Sequence, residues 1–213
     1  MIDTLARWDS DATLWLNAIH SPASDAVWKV FSNVRIWFVL YALIIVLLIR
    51  RLGWKKGLVA CGAAILTYLC CDPWFGEMVK YGVARLRPCW TQEMVDGGLR
   101  LLEGRGHLYG FFSAHAATTM GFAVCTSTCL RRLDKTRKYT LYTTLMVTWS
   151  LLVGFSRIFA GKHYLGDVLT GFAAGLAFGL LLSALAVAVC KSFGAKRRRG
   201  SGGTAPSVEN QAL

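Results

Sequence analysis

Three short stretches of this chain carry side chains able to do chemistry on an anion. In Ser156-Arg157-Ile158-Phe159-Ala160-Gly161-Lys162-His163-Tyr164-Leu165-Gly166-Asp167, His163 and Asp167 stand at i and i+4, which places them on one face of a helix. A carboxylate there accepts the proton of one imidazole nitrogen and leaves the other nitrogen free to attack. In the stretch from Lys80 to Arg87-Pro88, two cations lie two helical turns apart, so they can share a helix face that Pro88 stops. In Phe112-Ser113-Ala114-His115, Ser113 is placed to cap an apolar helix. The free amides of Ala114 and His115 then point at any bound anion. Each cluster alone also has a plain structural reading: a His–Asp hydrogen bond, a basic helix end snorkelling from a membrane, a simple cap. Where the chain places them decides the matter.

Apolar helices must do that placing. The 213 residues are 54% hydrophobic and 17% charged, and uncharged apolar runs of near-spanning length recur. The expectation is an all-α, multi-pass transmembrane helix bundle with about five spans in one domain, residues 1–190. Within residues 1–25, Leu5, Trp8, Ala12, Trp15, Leu16 and Ile19 fall at helical spacing and predict an interfacial helix, with packing on the bundle as the alternative. The uncharged part of the first span, Ile36 to Ile49, would cover only about 21 Å of a ~30 Å core. Its helix is therefore expected to begin near Val27, with Lys29 and Arg35 snorkelling. The second span runs from Gly57 through Cys71, with room to continue past Pro73 toward Arg85. The third covers Ala114 to Leu130, the fourth Tyr139 to Phe155 and the fifth Tyr164 to Cys190. A polar loop, 88–112, and a basic, disordered tail, 191–213, complete the chain. No cleavable signal peptide is expected, because the first twenty residues hold Asp3, Asp9 and Asp11 and no continuous apolar core.

Small residues recur every fourth position at Ala117, Gly121, Cys125 and Cys129, and again at Gly171, Gly175, Gly179 and Ser183. Such ridges let helices approach closely in a membrane. The formal charge of +12 is confined to alternating segments. Arg50 to Lys56, Arg131 to Lys138 and the tail from Lys191 each carry a net +4, and the remaining segments cancel. The positive-inside rule makes those segments cytoplasmic, and puts the N-terminus and all three reactive clusters at the extracytoplasmic surface. The basic balance is thus an orientation signal, and no nucleic-acid partner is expected. Six of the seven cysteines sit in or beside apolar runs and Cys89 stands alone in the loop, so neither a disulfide framework nor zinc spacing is present.

Together, Lys80 to Arg87-Pro88, Ser113-Ala114-His115 and Ser156-Arg157 to His163 and Asp167 resemble the signature motifs of the type-2 phosphatidic acid phosphatase and vanadium haloperoxidase superfamily, in its integral-membrane lipid phosphatase branch. The resemblance implies His163 as nucleophile, forming a phosphohistidine, with Asp167 holding its tautomer and His115 as the acid–base partner. It implies Lys80, Arg87, Ser113, Ala114 and Arg157 as phosphate binders. Metal and other cofactors are not expected, since Arg and Lys supply the charge. The usual Pro-Ser-Gly-His is here Phe112-Ser113-Ala114-His115, whose Ala114 methyl tightens the turn. Implied substrates are lipid phosphates or diphosphates taken from the bilayer, among them undecaprenyl diphosphate, lipid A, phosphatidylglycerol phosphate and phosphatidic acid. No obligate protein partner is evident, and the expected location is a bacterial cytoplasmic membrane with the C-terminus inside. A vanadate-dependent haloperoxidase would share the pocket, but the spans argue against it. A non-enzymatic transporter would bury ionisable groups deep in its spans instead of gathering them at one surface.

Overall fold

A computed structural model describes residues 2–200, with side chains placed for 3–193. Residues 201–213, much of the expected basic tail, lie outside the described residues. Nine α-helices follow in order among the described residues: α1 (Ile2–Ala18), α2 (Pro22–Ser32), α3 (Phe38–Leu52), α4 (Trp54–Cys71), α5 (Phe75–Val83), α6 (Gln92–Asp96), α7 (Ala114–Leu133), α8 (Thr140–Phe159) and α9 (Leu165–Gly200). Short 3-10 turns at Val34–Trp37 and Pro88–Trp90 join α2 to α3 and precede α6.

Three stretches are long and apolar enough to cross a membrane: Trp54–Val83, Thr140–Phe159 and Leu165–Phe193. Helices α2 and α3 together are also long and apolar enough for a span, but are bent by 61° at the break between them. The expected unbroken helix from Val27 therefore breaks at Asn33. Its backbone leaves the helical region, and its side chain accepts the Arg35 N–H (3.1 Å) to start the next turn. The expected third span, α7, has 20 residues, about 30 Å of helix, yet is too polar to pass the same test. It sits inside the bundle against α4, α8 and α9 and meets little lipid. Its Thr118, Thr119 and Thr126 hydroxyls are satisfied by carbonyls one turn back.

The two small-residue ridges face each other across α7 and α9. A Cβ on Gly175 would stand 2.3 Å from the Ala117 carbonyl oxygen, and one on Gly171 would stand 2.6 Å from that of Ser113. Only glycine lets these backbones meet. The main core, including Ile44, Leu48, Leu130, Met146, Trp149 and Val153, joins α3, α7 and α8. A smaller one, built on Ala116, Met120, Ile158, Val168 and Phe172, ties α7, α8 and α9 near the reactive clusters. Alternation of the helices brings Arg50, Arg51, Lys55, Lys56, Arg131, Arg132 and Lys191 to one end of the bundle. The start of α7, the end of α8 and the start of α9 lie at the other.

Candidate active site

The first cluster reaches the site by a route that local spacing did not foresee. Helix α5 stops at Val83, because Ala84 takes a left-handed conformation (φ 49°) while its N–H still bonds the Lys80 carbonyl. The following residues are extended. Arg87 N–H bonds the Leu108 carbonyl (3.0 Å), and Gly110 N–H bonds that of Arg85 (2.9 Å). Lys80 and Arg87 therefore do not share a helix face, and Pro88 is not the stop. The two residues still line one pocket of about 270 Å³, with Glu77, Tyr81, His107 and Tyr109. The Lys80 ammonium is held by Asp72 (3.0 Å) and Glu77 (2.6 Å). Arg87 spends its Nε on the Tyr109 carbonyl (3.1 Å) and keeps its two amino groups for other partners.

Ser113 occupies the N-cap of α7, but its side chain caps nothing. Its Oγ is fully buried and unpaired among the described residues, while its backbone N–H bonds the Asp167 carbonyl (3.0 Å). His115, in the first turn of α7, lines a cavity of about 140 Å³ with Asp72, Ala114, Thr118 and Tyr41. Arg157, in the last turn of α8, is buried. It donates to Ser32 Oγ and faces Glu103 at 3.6 Å, and its Nε has no partner among the described residues. Buried polar atoms are rarely left unpaired without a reason. Among the described residues, two of four such atoms, Ser113 Oγ and Arg157 Nε, belong to expected phosphate binders.

Between α8 and α9 the chain curls over Arg157, whose carbonyl accepts both the Lys162 (2.9 Å) and His163 (3.3 Å) amides. Gly161 makes this turn at φ 71°, and a Cβ there would stand 2.3 Å from the Arg100 carbonyl oxygen. His163 is 2% exposed, with Nδ1 3.4 Å from Asp167 Oδ2. An ionised carboxylate can only accept, so Nδ1 carries the proton and the free lone pair is on Nε2. Gly110 backs the pair: a Cβ on it would come within 3.3 Å of Asp167 Oδ2 and 3.5 Å of His163 Nδ1. Burial, then the charges of Arg87, Arg157 and Lys80, holds the His163 imidazole well below its ordinary range and so neutral.

Three further residues enter that sequence reasoning passed over. Arg85 bonds both Asp167 Oδ1 (2.8 Å) and Asp9 Oδ2 (2.6 Å). Asp9 belongs to α1, where Asp9, Thr13 and Asn17 form a four-spaced polar stripe turned inward, opposite the exposed Trp8 and Trp15. That stripe was visible in the sequence. Lys162 is 4% exposed, and its ammonium makes no hydrogen bond or ion pair among the described residues. It stands with Arg87 at the open face of Gly106, 3.5 and 3.8 Å respectively from where a Cβ would sit. Burial and then the charge of Arg157 push its ammonium below the usual lysine range. Among the described residues, no three His, Cys, Asp or Glu side chains gather as metal ligands would.

Residues 56–189, which hold all three clusters, match the PAP2 superfamily. The chain belongs to that superfamily. It is similar to the lipid A 4'-phosphatase of Bacteroides thetaiotaomicron, 30% identical over 80% of this chain and 73% of that protein. It is equally similar to the lipid A 4'-phosphatase of Porphyromonas gingivalis, 30% identical over 78% of this chain and 67% of the other. Its fold is shared with the crystal structure of a transmembrane PAP2-type phosphatidylglycerolphosphate phosphatase from Bacillus subtilis (TM-score 0.68, 18% identity, 85% and 86% of the two chains). The LpxE structure from Aquifex aeolicus shares it too (TM-score 0.58, 20% identity, 81% and 92%). The chain is a membrane-embedded phosphoric monoester hydrolase.

Proposed function

We propose that the chain cleaves the terminal phosphate of a membrane lipid phosphate through a phosphohistidine on His163. The observation that carries this is the buried His163, whose Nδ1 faces Asp167 at 3.4 Å while the charges of Arg87, Arg157 and Lys80 act on the same ring. In the first step, Nε2 attacks phosphorus and the bond to the lipid oxygen breaks, that oxygen taking a proton from a His115 imidazolium that the negative charge of the bound phosphate sustains. In the second, water gives a proton back to His115 and attacks the phosphohistidine, and the N–P bond breaks to release inorganic phosphate. Arg87, Arg157 and Lys162, with Ser113 Oγ and the first α7 amides, would meet the phosphate oxygens. Lys80, already held by two carboxylates, adds field more than contact.

A lipid substrate fits the surroundings. An apolar groove of about 370 Å³ runs between α3, α4 and α7, lined by Phe38, Ile45, Leu48, Ile65 and Phe122. It shares Val34, Tyr41, Tyr68 and Thr118 with the cavity at His115. A headgroup in the site could therefore leave a tail in this groove. Among lipid phosphates, the two lipid A 4'-phosphatases favour a phosphorylated glycolipid of that kind. The positive-inside rule supports a site on the extracytoplasmic face with the basic end of the bundle in the cytoplasm. In a background with the native cysteines replaced, a cysteine at Gly98 should react with an impermeant thiol reagent in intact cells, and one at Lys135 should not. The reverse labelling overturns the orientation. The purified protein, assayed with EDTA across a panel of lipid phosphates, should release phosphate fastest from a lipid A 4'-phosphate. Phosphate release from none of the panel would refute the functional reading.

A further inference from the structure

Helix α9 starts immediately after His163, and its first amides have no acceptor within the helix. Three acceptors take them. Asp167 Oδ2 accepts from Tyr164 N–H (3.1 Å), Thr13 Oγ1 from Leu165 N–H (2.9 Å) and Asp9 Oδ1 from Gly166 N–H (2.7 Å). Two of the three acceptors come from α1. The second Asp9 oxygen holds Arg85 Nη2 at 2.6 Å, and Arg85 Nη1 reaches Asp167 Oδ1 at 2.8 Å. The guanidinium lies over the Tyr164 ring, 3.8 Å from its centroid. One cation is thus shared by two carboxylates, and one of the two is the partner of His163.

We infer that Asp9, acting through Arg85, is a positioning residue for phosphoryl transfer, setting how much of the Asp167 charge remains for His163. The inference rests on the reading of His163 as nucleophile. As the N–P bond forms, the imidazole becomes cationic and leans on Asp167. Arg85 opposes that cation, and Arg87, Arg157 and Lys80 add to the opposition. Asp9 offsets one positive charge at close range, in a site where water screens little. Removing its charge leaves all of Arg85 on Asp167.

The test separates charge from scaffold. Asp9→Asn keeps an oxygen for the Gly166 amide, removes the charge, and replaces the oxygen that accepts from Arg85 with an NH2 donor. Its kcat should fall roughly tenfold with KM within about twofold, a part of the ~10⁴-fold that full neutralisation of such a carboxylate costs. The acid limb of kcat/KM should move to lower pH than in wild type on the same substrate, because His163 then sits in a more positive field. Asp9→Glu should restore both. Thr13→Val, which removes the other α1 cap without a charge, should lower Tm and leave the acid limb in place. A purely structural Asp9 would behave differently: loosening His163 toward water would move the acid limb up. An upward shift, an unchanged kcat, or a kcat loss that Asp9→Glu does not rescue overturns the inference. Labelling of wild-type His163 by substrate phosphate distinguishes the two failures. Label present with normal turnover in Asp9→Asn defeats only the role of Asp9, whereas label absent in wild type defeats the nucleophile itself.

Discussion

Ser113→Ala should make the protein more stable and less active. The Ser113 hydroxyl is fully buried at the head of α7 with no hydrogen-bond partner among the described residues. A buried polar group in that state costs about 1–3 kcal/mol of desolvation, and replacing it with a methyl removes the cost while leaving little void. The Ser113 backbone bond to the Asp167 carbonyl is untouched. A net gain of about 1 kcal/mol would raise Tm by ~2–4 °C in a chain of this size. On the proposed mechanism the same hydroxyl donates to the phosphate in the transition state, and losing such a donor costs about 10²–10³-fold in kcat. Thermal unfolding in detergent and phosphate release give both numbers from one preparation. Adding orthovanadate as a phosphate mimic should raise the Tm of the wild type and raise that of the variant by less. A variant that is less stable than wild type yet turns over normally would refute the reasoning, because the hydroxyl would then be structural.

Lys162→Met should weaken inhibition by inorganic phosphate by roughly tenfold or more, the value of one charged hydrogen bond; an unchanged inhibition constant would remove Lys162 from the site. By nitrogen-15 imidazole NMR, His163 should stay neutral, with Nδ1 protonated, below the ~6.5 at which histidine ordinarily gains its proton. Burial and the neighbouring cations depress this base, so protonation comes only at lower pH, and Arg87→Gln should shift it upward. A His163 that protonates at or above ~6.5 in wild type contradicts the electrostatics. Gly175→Val should lower Tm sharply, since even a Cβ would meet the Ala117 carbonyl oxygen at 2.3 Å and overpacking costs about 1–3 kcal/mol or more. Gly62→Ala, with nothing within 4 Å of the new atom, should not lower it.

The local signals were readable from the sequence. Apolar runs marked the helices, basic turns grouped the helix ends, and four-spaced small residues marked a close-packing face on each of α7 and α9, faces that the fold sets against each other. What failed depended on single backbone choices or on contacts between distant residues. The left-handed Ala84 ends α5 before Arg87, so two cations that spacing assigned to one helix face reach the pocket separately. Asn33 breaks the first span because its side chain can serve the next turn. Arg85 read as one more basic residue at a membrane surface, since its partners Asp9 and Asp167 lie far along the chain on both sides. Lys162 stood next to His163 and offered no pattern, because burial without a counter-ion has no signature in sequence. Helix α7 shows the converse: a span enclosed by neighbours can be polar, so hydropathy alone undercounts it.

The most direct test is to trap the intermediate. Wild-type protein mixed with phosphorus-32-labelled lipid phosphate and quenched without acid should carry label on His163, stable to base and labile to acid. Asp167→Asn should slow formation of that label, and His163→Ala, folded as judged by its thermal unfolding, should carry none and release no phosphate. A folded His163→Ala protein that hydrolyses the lipid at a rate near wild type, or label found on another side chain, would contradict the account.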